Sequence, residues 1–418
     1  MNIWIFNHYA TTPDFPGATR HFDFSKELVK RGHKVTIFAS SFHYLLLKET
    51  KNYVKSFFIE EKVYENNDSF VKFVWIKTPP YEKSDWKRVV NMLVYSYRSF
   101  IVGNLIGKKE KPDIIIGSSV HLFAPLSAYF LSRKFNVPFI LEIRDIWPQT
   151  LIDLGISKYH PFILLLSILE KFLYRRAQKI ITLLPNSKNY FEKFGVEKKL
   201  IWIPNGFDVE RIQGLEKETS PIQSEDSKFL KIGYAGAMGK GNDLHFLINL
   251  GKYIKDNSMN VKFYIMGSGY EQENFKKNII ENGLEDIILF QQTFSKNDIH
   301  RVLSFFDAFI FHIADANVFK YGISSNKLFD YMAVGKPIIF FANVPNNIVQ
   351  EAGCGITVKN LDEVIDAIKK LMNLSEEERK EMGLKGKKFV EKNYSIQFLA
   401  DKFENVIKEV REDYLKKL

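Results

Sequence analysis

Short apolar runs alternate with amphipathic segments along the first 180 residues, and each run has the length of a strand. Runs at 2–8 and 35–40 flank a stretch in which Phe22, Leu28 and Val29 recur at helical spacing before Gly32. A strand, a helix and a strand in this order form a βαβ unit, which requires a parallel sheet and a right-handed crossover. The alternation continues, with strands predicted at 71–76, 113–117, 138–142 and 179–182 and helices at 86–106, 122–135 and 162–177.

A second series of alternating elements follows a polar insert at 214–228. It predicts strands at 232–234, 261–266, 287–290, 308–312 and 338–341, with helices between them. Ser375 and Glu378 form a capping box that opens a charged helix to about residue 392, and 395–418 is amphipathic and helical. Strands this apolar are covered on both faces. The sequence therefore predicts two doubly wound α/β domains, 1–200 and 201–395.

Composition supports two globular domains. The chain has 418 residues, of which 45% are hydrophobic and 26% charged, and these values argue against long disordered segments. The one cysteine, Cys354, excludes an internal disulfide and a cysteine-based metal cluster. The first ten residues have no basic region and no cleavage site, so they indicate a buried strand. We expect a soluble chain from a reducing compartment.

The net charge of +10 predicts an anionic partner. Neither zinc-ligand spacing nor an aromatic-glycine RNA-binding pattern is present, so no nucleic-acid partner is expected. Two segments, 86–109 and 161–179, combine aromatic or aliphatic residues with lysine and arginine, which suits a bilayer containing anionic lipid. The alternative is that both are helices covering the sheet, with solvated basic faces.

The segment 321–335, YGISSNKLFDYMAVG, is the strongest candidate site. Small residues precede an apolar helical face, and a helix that opens from such a loop presents free N–H groups and a positive dipole end to phosphate. Ser324, Ser325 and Asn326 form this loop, while Lys327 and Asp330 lie three positions apart on the first turn and can face the same opening. The alternative is an ordinary loop–helix junction.

Other glycine-containing loops follow predicted strands, where ligands bind in doubly wound sheets. We expect the loop formed by Pro16, Gly17, Ala18 and Thr19 to approach phosphate or sugar, together with Arg20 on the first turn of the helix that follows. The alternative is an ordinary turn that needs glycine for its backbone geometry. In the second domain, three glycines and one lysine could approach a diphosphate, although glycines alone are weak evidence. These residues are Gly236, Gly239, Gly267 and Lys240.

Arg144 and Asp145 end a predicted buried strand, where charge is costly unless it is paired or used. Asp145 could orient or deprotonate an acceptor hydroxyl, and Arg144 could bind an anionic acceptor or the leaving diphosphate. The alternative is an internal salt bridge. Asn205 and Glu351 are secondary candidates, and His33 is interpreted as a packing residue.

Several of these strings together resemble a known family. They run in order along the chain: PDFPGATRHFDFSKELVKRGHKVTIFAS at 13–40, EIRDIWPQ at 142–149, IPNGFD at 203–208, GYAGAMGKGNDL at 233–244, YIMGSGYE at 264–271 and SSNKLFDYMAVGKPIIF at 324–340. The set is similar to the retaining, two-domain GT-B glycosyltransferases of family 4. Within that family it most resembles the fucosaminyltransferase-like branch that builds bacterial surface polysaccharides.

The resemblance implies a nucleotide-sugar donor on the second domain, an acceptor on the first, and catalysis without metal or another cofactor. It also implies that the final helix, 396–418, returns to the first domain. In the usual donor site of this family, two glutamates stand eight positions apart. The second, which binds the ribose, corresponds to Asp330 in this sequence. The first, which contacts the donor sugar, corresponds to Gly322. Sugar recognition would then pass to backbone amides of 323–325 or to other side chains.

The expected function is transfer of an N-acetylated or deoxy sugar from a UDP-sugar to a lipid-linked acceptor in O-antigen, capsule or exopolysaccharide synthesis. The enzyme would act in the cytoplasm as a peripheral protein on the anionic inner leaflet. Lys327 would neutralise the departing diphosphate, and Asp330 would accept hydrogen bonds from the ribose hydroxyls. The alternatives are a nucleotide-sugar epimerase of similar fold and an inactive nucleotide- or glycan-binding protein.

Overall fold

A computed structural model describes residues 1–83, 85–214 and 228–417. The predicted polar insert at 214–228 lies almost entirely outside these residues. The strands are β1 Asn2–Phe6, β2 Lys34–Ser40, β3 Phe42–His43, β4 Lys48–Glu49, β5 Phe58–Asn66, β6 Ser69–Ile76, β7 Ile114–Ser118, β8 Phe139–Ile143, β9 Lys179–Thr182, β10 Leu200–Trp202, β11 Leu230–Ala235, β12 Val261–Met266, β13 Ile288–Gln291, β14 Ala308–His312, β15 Ile338–Phe341 and β16 Gly355–Val358.

Helices separate most of these strands. They are α1 Arg20–Lys30, α2 Trp86–Gly107, α3 Phe123–Phe135, α4 Gln149–Asp153, α5 Pro161–Arg176, α6 Lys188–Glu192, α7 Phe246–Asp256, α8 Gln272–Glu281, α9 Ile299–Leu303, α10 Asn326–Ala333, α11 Ile348–Ala352, α12 Leu361–Asn373, α13 Glu376–Tyr394 and α14 Ile396–Leu415, with short 3-10 turns at Glu197–Lys199, Val209–Ile212 and Asn317–Tyr321.

Within the described residues, the first sheet has eight strands in the order β10-β9-β8-β7-β1-β2-β6-β5. All its neighbouring pairs are parallel except β5 with β6. The antiparallel edge strand β5 was missed because its residues are only partly buried and mostly polar. Strand order reverses at β1, which pairs with both β2 and β7, so the crevice of this sheet opens beyond the carboxyl end of β1.

The second sheet has the order β13-β12-β11-β14-β15-β16 among the described residues and is parallel throughout. The crevice of this sheet lies beyond the carboxyl ends of β11 and β14. The chain leads from β11 to α7 and from β14 to the 3-10 turn before α10. Its strands are short and apolar, as the sequence predicted. The first helix of this domain, α7, begins at Phe246.

The last helix returns to the first domain, as predicted. In α14, Phe403 and Ile407 lie in the same core cluster as Phe24 of α1 and strand residues of the first sheet. His33 is buried, and its Nε2–H donates a 2.9 Å hydrogen bond to the carboxylate of Glu404 in α14, in agreement with a packing role. The predicted domain boundary at residue 200 coincides with the start of β10, which still pairs with the first sheet.

Candidate functional site

Two cavities lie in the cleft between the domains, on either side of the start of α10. The first has a volume of about 310 Å³, and both domains line it. From the first domain come Pro16, Gly17, Ala18, Tyr44 and Leu45; from the second come Ala235, Gly236, Ala237, Asn242, Met266, Gly267, Ser268, Thr293, Phe294, Ser295, Lys296, Ile299, Leu303, Ser325, Asn326, Lys327, Asp330 and Tyr331.

The second cavity, also of about 310 Å³, shares Ser325 and Asn326 with the first. It is bounded by Arg144, Asp145 and Thr150 of the first domain and by the loop before α10. The remaining lining is mostly apolar: Ile146, Leu183, Leu184, Asn205, Phe311, Ile313, Val318, Phe319, Gly322, Ile323 and Ser324. The N-terminal end of α10 therefore stands between two compartments of one cleft.

Lys327 is held at the junction of three elements. Its Nζ donates to Asn242 Oδ1 at 2.6 Å and to the Tyr234 hydroxyl at 3.3 Å, and it lies 4.7 Å from the centre of the Tyr234 ring. Burial lowers the pKa of the amine to about 7. An ammonium held beside a helix start in a poorly solvated cleft is suited to bind an anion, whose charge would in turn favour the protonated form.

Asp330 has two partners that the sequence did not reveal. Lys296 Nζ lies 2.6 and 2.5 Å from its two carboxylate oxygens, and His300 Nε2 lies 2.8 Å from Oδ1. Burial alone would raise the pKa of Asp330. The two neighbours outweigh burial and lower this pKa, and the charge of Lys296 contributes most to the lowering. Burial also lowers the pKa of His300, so we assign it as neutral with Nε2–H donating to the carboxylate.

The loop after β1 reaches the first cavity and crosses to the second domain. The backbone N–H of Lys296 donates to the carbonyl of Phe15 at 3.1 Å, and that of Asn297 donates to Pro13 at 3.1 Å. Buried His43 holds the other side of this loop: its Nε2 lies 3.1 Å from the carbonyl of Pro16, and its Nδ1 accepts from the N–H of Leu45. Pro16, Gly17 and Ala18 thus line the cleft as predicted.

Thr19 and Arg20 do not belong to this lining, and the prediction that they approach the ligand is wrong. Arg20 is 3% exposed and donates to Glu142 at 3.0 Å and to the carbonyls of Ile203 and Pro204. Thr19, also buried, donates to Asp23 at 2.7 Å. A buried guanidinium needs such partners. The pairing with Glu142 was not predicted from the sequence, because Glu142 lies within an otherwise apolar strand.

Arg144 and Asp145 reach the second cavity rather than the first. The structure records no ion pair between them, and the Arg144 side-chain Nε has no hydrogen-bond partner among the described residues. Asp145 is exposed to the cavity, yet the surrounding protein still desolvates its carboxyl and raises its pKa, while the charges of Arg144 and Arg88 oppose that rise. The arrangement favours the functional interpretation over an internal salt bridge.

The glycine-containing loops of the second domain line two different cavities. Gly236 and Gly267 line the first cavity, and a Cβ on Gly267 would lie 2.0 Å from the carbonyl oxygen of Gly236. Gly267 is therefore required for close approach of two loops. Gly239 and the exposed Lys240 instead line a separate cavity of about 330 Å³ with His245, so the structure does not bring them into the first cavity.

Gly322 lies in the wall of the second cavity with φ +89° and ψ 177°, a region that is almost restricted to glycine. A Cβ here would lie 2.7 Å from Pro185 Cγ and 2.9 Å from Asn346 Oδ1. The next N–H, that of Ile323, already donates to Asn346 at 2.9 Å. No glutamate fits at 322 in this conformation, and the suggestion that the Ile323 amide binds sugar is wrong.

We expect Gly322→Ala to destabilise the protein by about 1–3 kcal/mol, because the substitution adds both backbone strain and a close contact. The check is chemical denaturation followed by circular dichroism. Gly241→Ala is the matched control, since a Cβ at Gly241 meets nothing within 4 Å. Equal midpoints for the two variants would contradict the strained assignment.

Several residues of the site escaped the sequence argument. Lys296 and His300 lie about thirty residues before Asp330 and carry no motif, and Asn242 and Tyr234 are recognisable only once their contacts with Lys327 are known. The one available signal was the run from 233 to 244, in which Tyr234 and Asn242 flank the glycines. In this run, Tyr234 and Asn242 form the hydrogen bonds with Lys327.

Comparison with protein families gives two matches in tandem. The description Glycosyltransferase Family 4 fits residues 17–211, and Glycosyl transferases group 1 fits residues 230–374. The two matched regions contain the first-domain and second-domain walls of the cleft, respectively. No curated protein sequence matches the chain.

Solved structures share the two-domain architecture at low sequence identity. Sucrose-phosphate synthase of Thermosynechococcus elongatus superposes with a TM-score of 0.73 at 13% identity, covering 98% of each chain. HepE of Anabaena, solved with UDP-glucose, has a TM-score of 0.65 at 12% identity and covers 98% of this chain and 100% of its own. The lipopolysaccharide outer core galactosyltransferase WaaB has a TM-score of 0.55 at 14% identity, covering 98% and 99%.

Proposed function

Because the chain is a family 4 glycosyltransferase with the GT-B fold, we propose that it transfers a sugar from a UDP-sugar to a lipid-linked acceptor, with retention of configuration and without a metal ion. The observation that carries this proposal is the position of Lys327 at the N-terminal end of α10, between two cavities of one cleft. The pathway we propose is synthesis of bacterial O-antigen, capsule or exopolysaccharide.

The donor would extend across both cavities. The nucleoside would occupy the first cavity near Asp330 and Phe294, and the diphosphate would bind at the start of α10 beside Lys327. The sugar would then enter the second cavity, whose apolar walls suit the methyl group of an N-acetylated or deoxy sugar. HepE, a protein of the same fold, is described in complex with UDP-glucose, which supports a uridine donor.

The acceptor would approach from the first domain. Asp145 faces the second cavity, and its raised pKa suits a group that exchanges a proton with an acceptor hydroxyl. In the front-face mechanism implied by the family resemblance, the leaving phosphate also takes that proton, so Asp145 would mainly orient the hydroxyl. Arg144 lines the same wall and would stabilise negative charge on the acceptor or on the leaving diphosphate.

Differential scanning fluorimetry with UDP, GDP, ADP and NAD tests the nucleotide assignment. We expect UDP to raise the melting temperature most, with release of UDP when a UDP-sugar and extracted lipid acceptors are supplied together. Stabilisation by none of the four would refute the donor assignment. Conversion of a UDP-sugar to its epimer without acceptor would favour the epimerase, and UDP binding without any turnover would favour an inactive binding protein.

The outer surface of the helices α2, α3 and α5 supports the proposed membrane contact. These helices cover one face of the first sheet, with Met92, Leu131 and Leu166 directed into the core. Large apolar side chains also remain exposed on this layer and the loop before α5: Trp86, Val90, Leu93, Tyr97, Leu105, Phe130, Leu154, Ile156, Tyr159, Leu164, Leu165 and Ile168. Among the described residues, α2 is the one helix whose length and composition would allow a membrane span.

Basic residues border these apolar side chains. Lys171, Arg175 and Arg176 surround a surface cavity of about 340 Å³ with Ile168 and Phe172 on α5. Tyr95 of α2 is not part of this surface, because it is buried and its hydroxyl donates to the Phe38 carbonyl in the core. We propose that this surface lies on the anionic inner leaflet of the cell membrane, with the protein peripheral and cytoplasmic.

Flotation with liposomes tests this surface. The protein should float with vesicles that contain phosphatidylglycerol, and Leu165→Glu with Ile168→Glu should reduce the bound fraction by about tenfold, because two exposed apolar anchors become anionic. Ile280→Glu, an exposed apolar residue of α8 in the second domain, is the control and should float normally. Equal flotation of all variants, or none with wild type, would contradict the proposal.

A further inference from the structure

The two lysines that line the first cavity differ in how their charges are compensated. Lys296 Nζ lies within 2.6 Å of both carboxylate oxygens of Asp330. Lys327 Nζ is bonded to neutral oxygens instead, and it has no ion pair with a carboxylate in the part of the chain that the structure describes. The positive charge of Lys327 therefore remains available to an anion in this cavity.

The three N–H groups of the Lys327 ammonium each have an acceptor. Nζ lies 2.6 Å from Asn242 Oδ1, 3.3 Å from the Tyr234 hydroxyl and 3.4 Å from the His312 carbonyl. A phosphate oxygen bound at the start of α10 has to replace one of these acceptors. The bond to Asn242 is short, whereas the other two are longer than the usual range, so Asn242 is the partner that is retained.

The position of the Asn242 amide is fixed by its own loop. Nδ2 donates to the Ala237 carbonyl at 2.9 Å, so Oδ1 is the atom directed to Lys327. The carbonyl of the adjacent Gly241 accepts from the N–H of Ala314 at 3.1 Å, which joins this loop to the segment after β14. Asn242 is half-buried and lines the first cavity. It therefore presents a neutral acceptor to the ammonium from a supported loop at the cavity wall.

We propose that Asn242 is a positioning residue for the transfer reaction: its Oδ1 anchors the Lys327 ammonium at the start of α10, and its neutral amide leaves the charge of that ammonium for the diphosphate. This inference rests on the proposed function. A carboxylate at this position would hold the ammonium but cancel its charge. An alanine would leave the charge but remove the anchor. Asn242→Asp and Asn242→Ala therefore test the two parts separately.

The other ionisable groups around Lys327 contribute little charge at neutral pH. Tyr234 of β11 and His312 of β14 face the amine. Burial raises the pKa of Tyr234 and lowers the pKa of His312, so both side chains are neutral there. Asp243 and Asp315, whose charges act on His312, are exposed to solvent. A change at position 242 should therefore dominate any shift in the pKa of Lys327.

Isothermal titration calorimetry with UDP from about pH 6 to about pH 9 tests the proposal. In wild type the dissociation constant should rise as the pH passes about 7, where the free protein loses the Lys327 charge. Asn242→Ala removes an acceptor that favours the ammonium, so this rise should move to lower pH. Asn242→Asp adds a carboxylate, so the rise should move up by about one pH unit or more, with about tenfold weaker binding of UDP at neutral pH.

The two variants control for each other, because both lose the bond from Nδ2 to the Ala237 carbonyl and they differ in the added charge. Tyr270→Phe is the matched control for the loop. It removes the hydroxyl that accepts from the Lys240 N–H at 2.8 Å, and this hydroxyl is not among the partners that the structure describes for Lys327. Tyr270→Phe should keep the pH dependence of wild type.

Three results would overturn the proposal: no shift of the pH dependence in either Asn242 variant, shifts in the same direction in both, or an equal shift in Tyr270→Phe. The last would show that Asn242 only supports the loop. If circular dichroism shows that Asn242→Ala does not fold, Asn242→Asp decides, and an unshifted pH dependence in it refutes the inference. Failure of wild type to bind UDP would instead refute the proposed function itself, so the two failures are distinguishable.

Discussion

Replacement of Lys327 by alanine should lower kcat for sugar transfer by about 10²- to 10³-fold, the usual effect of removing one group that stabilises developing negative charge in a poorly solvated site. Its ammonium lies beside the helix start that we propose for the diphosphate, held by Asn242 and Tyr234. Initial rates of UDP release measure the effect. Lys240→Ala is the matched control, because Lys240 is exposed and lines the separate cavity near His245, and it should retain wild-type turnover.

The pH dependence of the same reaction follows from the pKa of Lys327, which burial lowers to about 7 in the free protein. As pH rises through about 7, the free enzyme loses the ammonium, so kcat/KM should fall on the alkaline side. Lys327→Arg keeps its charge at every accessible pH, and its residual activity should lack this alkaline fall. Wild-type turnover by Lys327→Ala, or an identical pH profile for Lys327→Arg, would contradict the assigned role.

Replacement of Asp330 by alanine should lower the free energy of unfolding by about 3–5 kcal/mol, because Lys296 and His300 would be left buried without the carboxylate. Urea denaturation measures this change. Asp330→Ala with Lys296→Met should recover part of the loss, since it removes the uncompensated ammonium. Both variants should bind UDP more weakly than wild type if the carboxylate also accepts the ribose hydroxyls.

The pH dependence of stability gives the sign of the Asp330 interaction. Its folded-state pKa lies below the ordinary value of 3.8, so its stabilising contribution is present at neutral pH and is lost as pH falls below that value. Asp330→Ala should therefore differ most from wild type at neutral pH and least near pH 2. A constant difference across this range, or an unchanged unfolding midpoint for Asp330→Ala, would refute the ion-paired arrangement.

The alternation of apolar runs was enough to predict the sheets, because buried parallel strands are continuously hydrophobic and their crossover helices are amphipathic. It was not enough for β5, which is an edge strand with many polar residues and is joined to β6 by a turn rather than by a helix. The family resemblance, in turn, implied that Gly322 stands where a glutamate is usual. It gave no sign that Pro185 and Asn346 fill the space of a side chain there.

The candidate site was predictable where residues are adjacent in sequence, as for Lys327 and Asp330 on one helical turn. Pairings across the fold were not predictable, since nothing in spacing connects Arg20 to Glu142 or Asp330 to Lys296. For the same reason a cationic residue near a loop, such as Arg20, was assigned to ligand binding although its charge is satisfied internally. Which charges remain available for a ligand is decided by tertiary packing.

The most direct test of the central claim is a crystal structure of the protein with UDP. We predict the diphosphate at the start of α10, within hydrogen-bond distance of Lys327 Nζ and the N–H groups of Asn326 and Lys327, with the β-phosphate directed towards the second cavity. A UDP molecule bound elsewhere, or bound in the cleft with its diphosphate away from Lys327, would contradict the account.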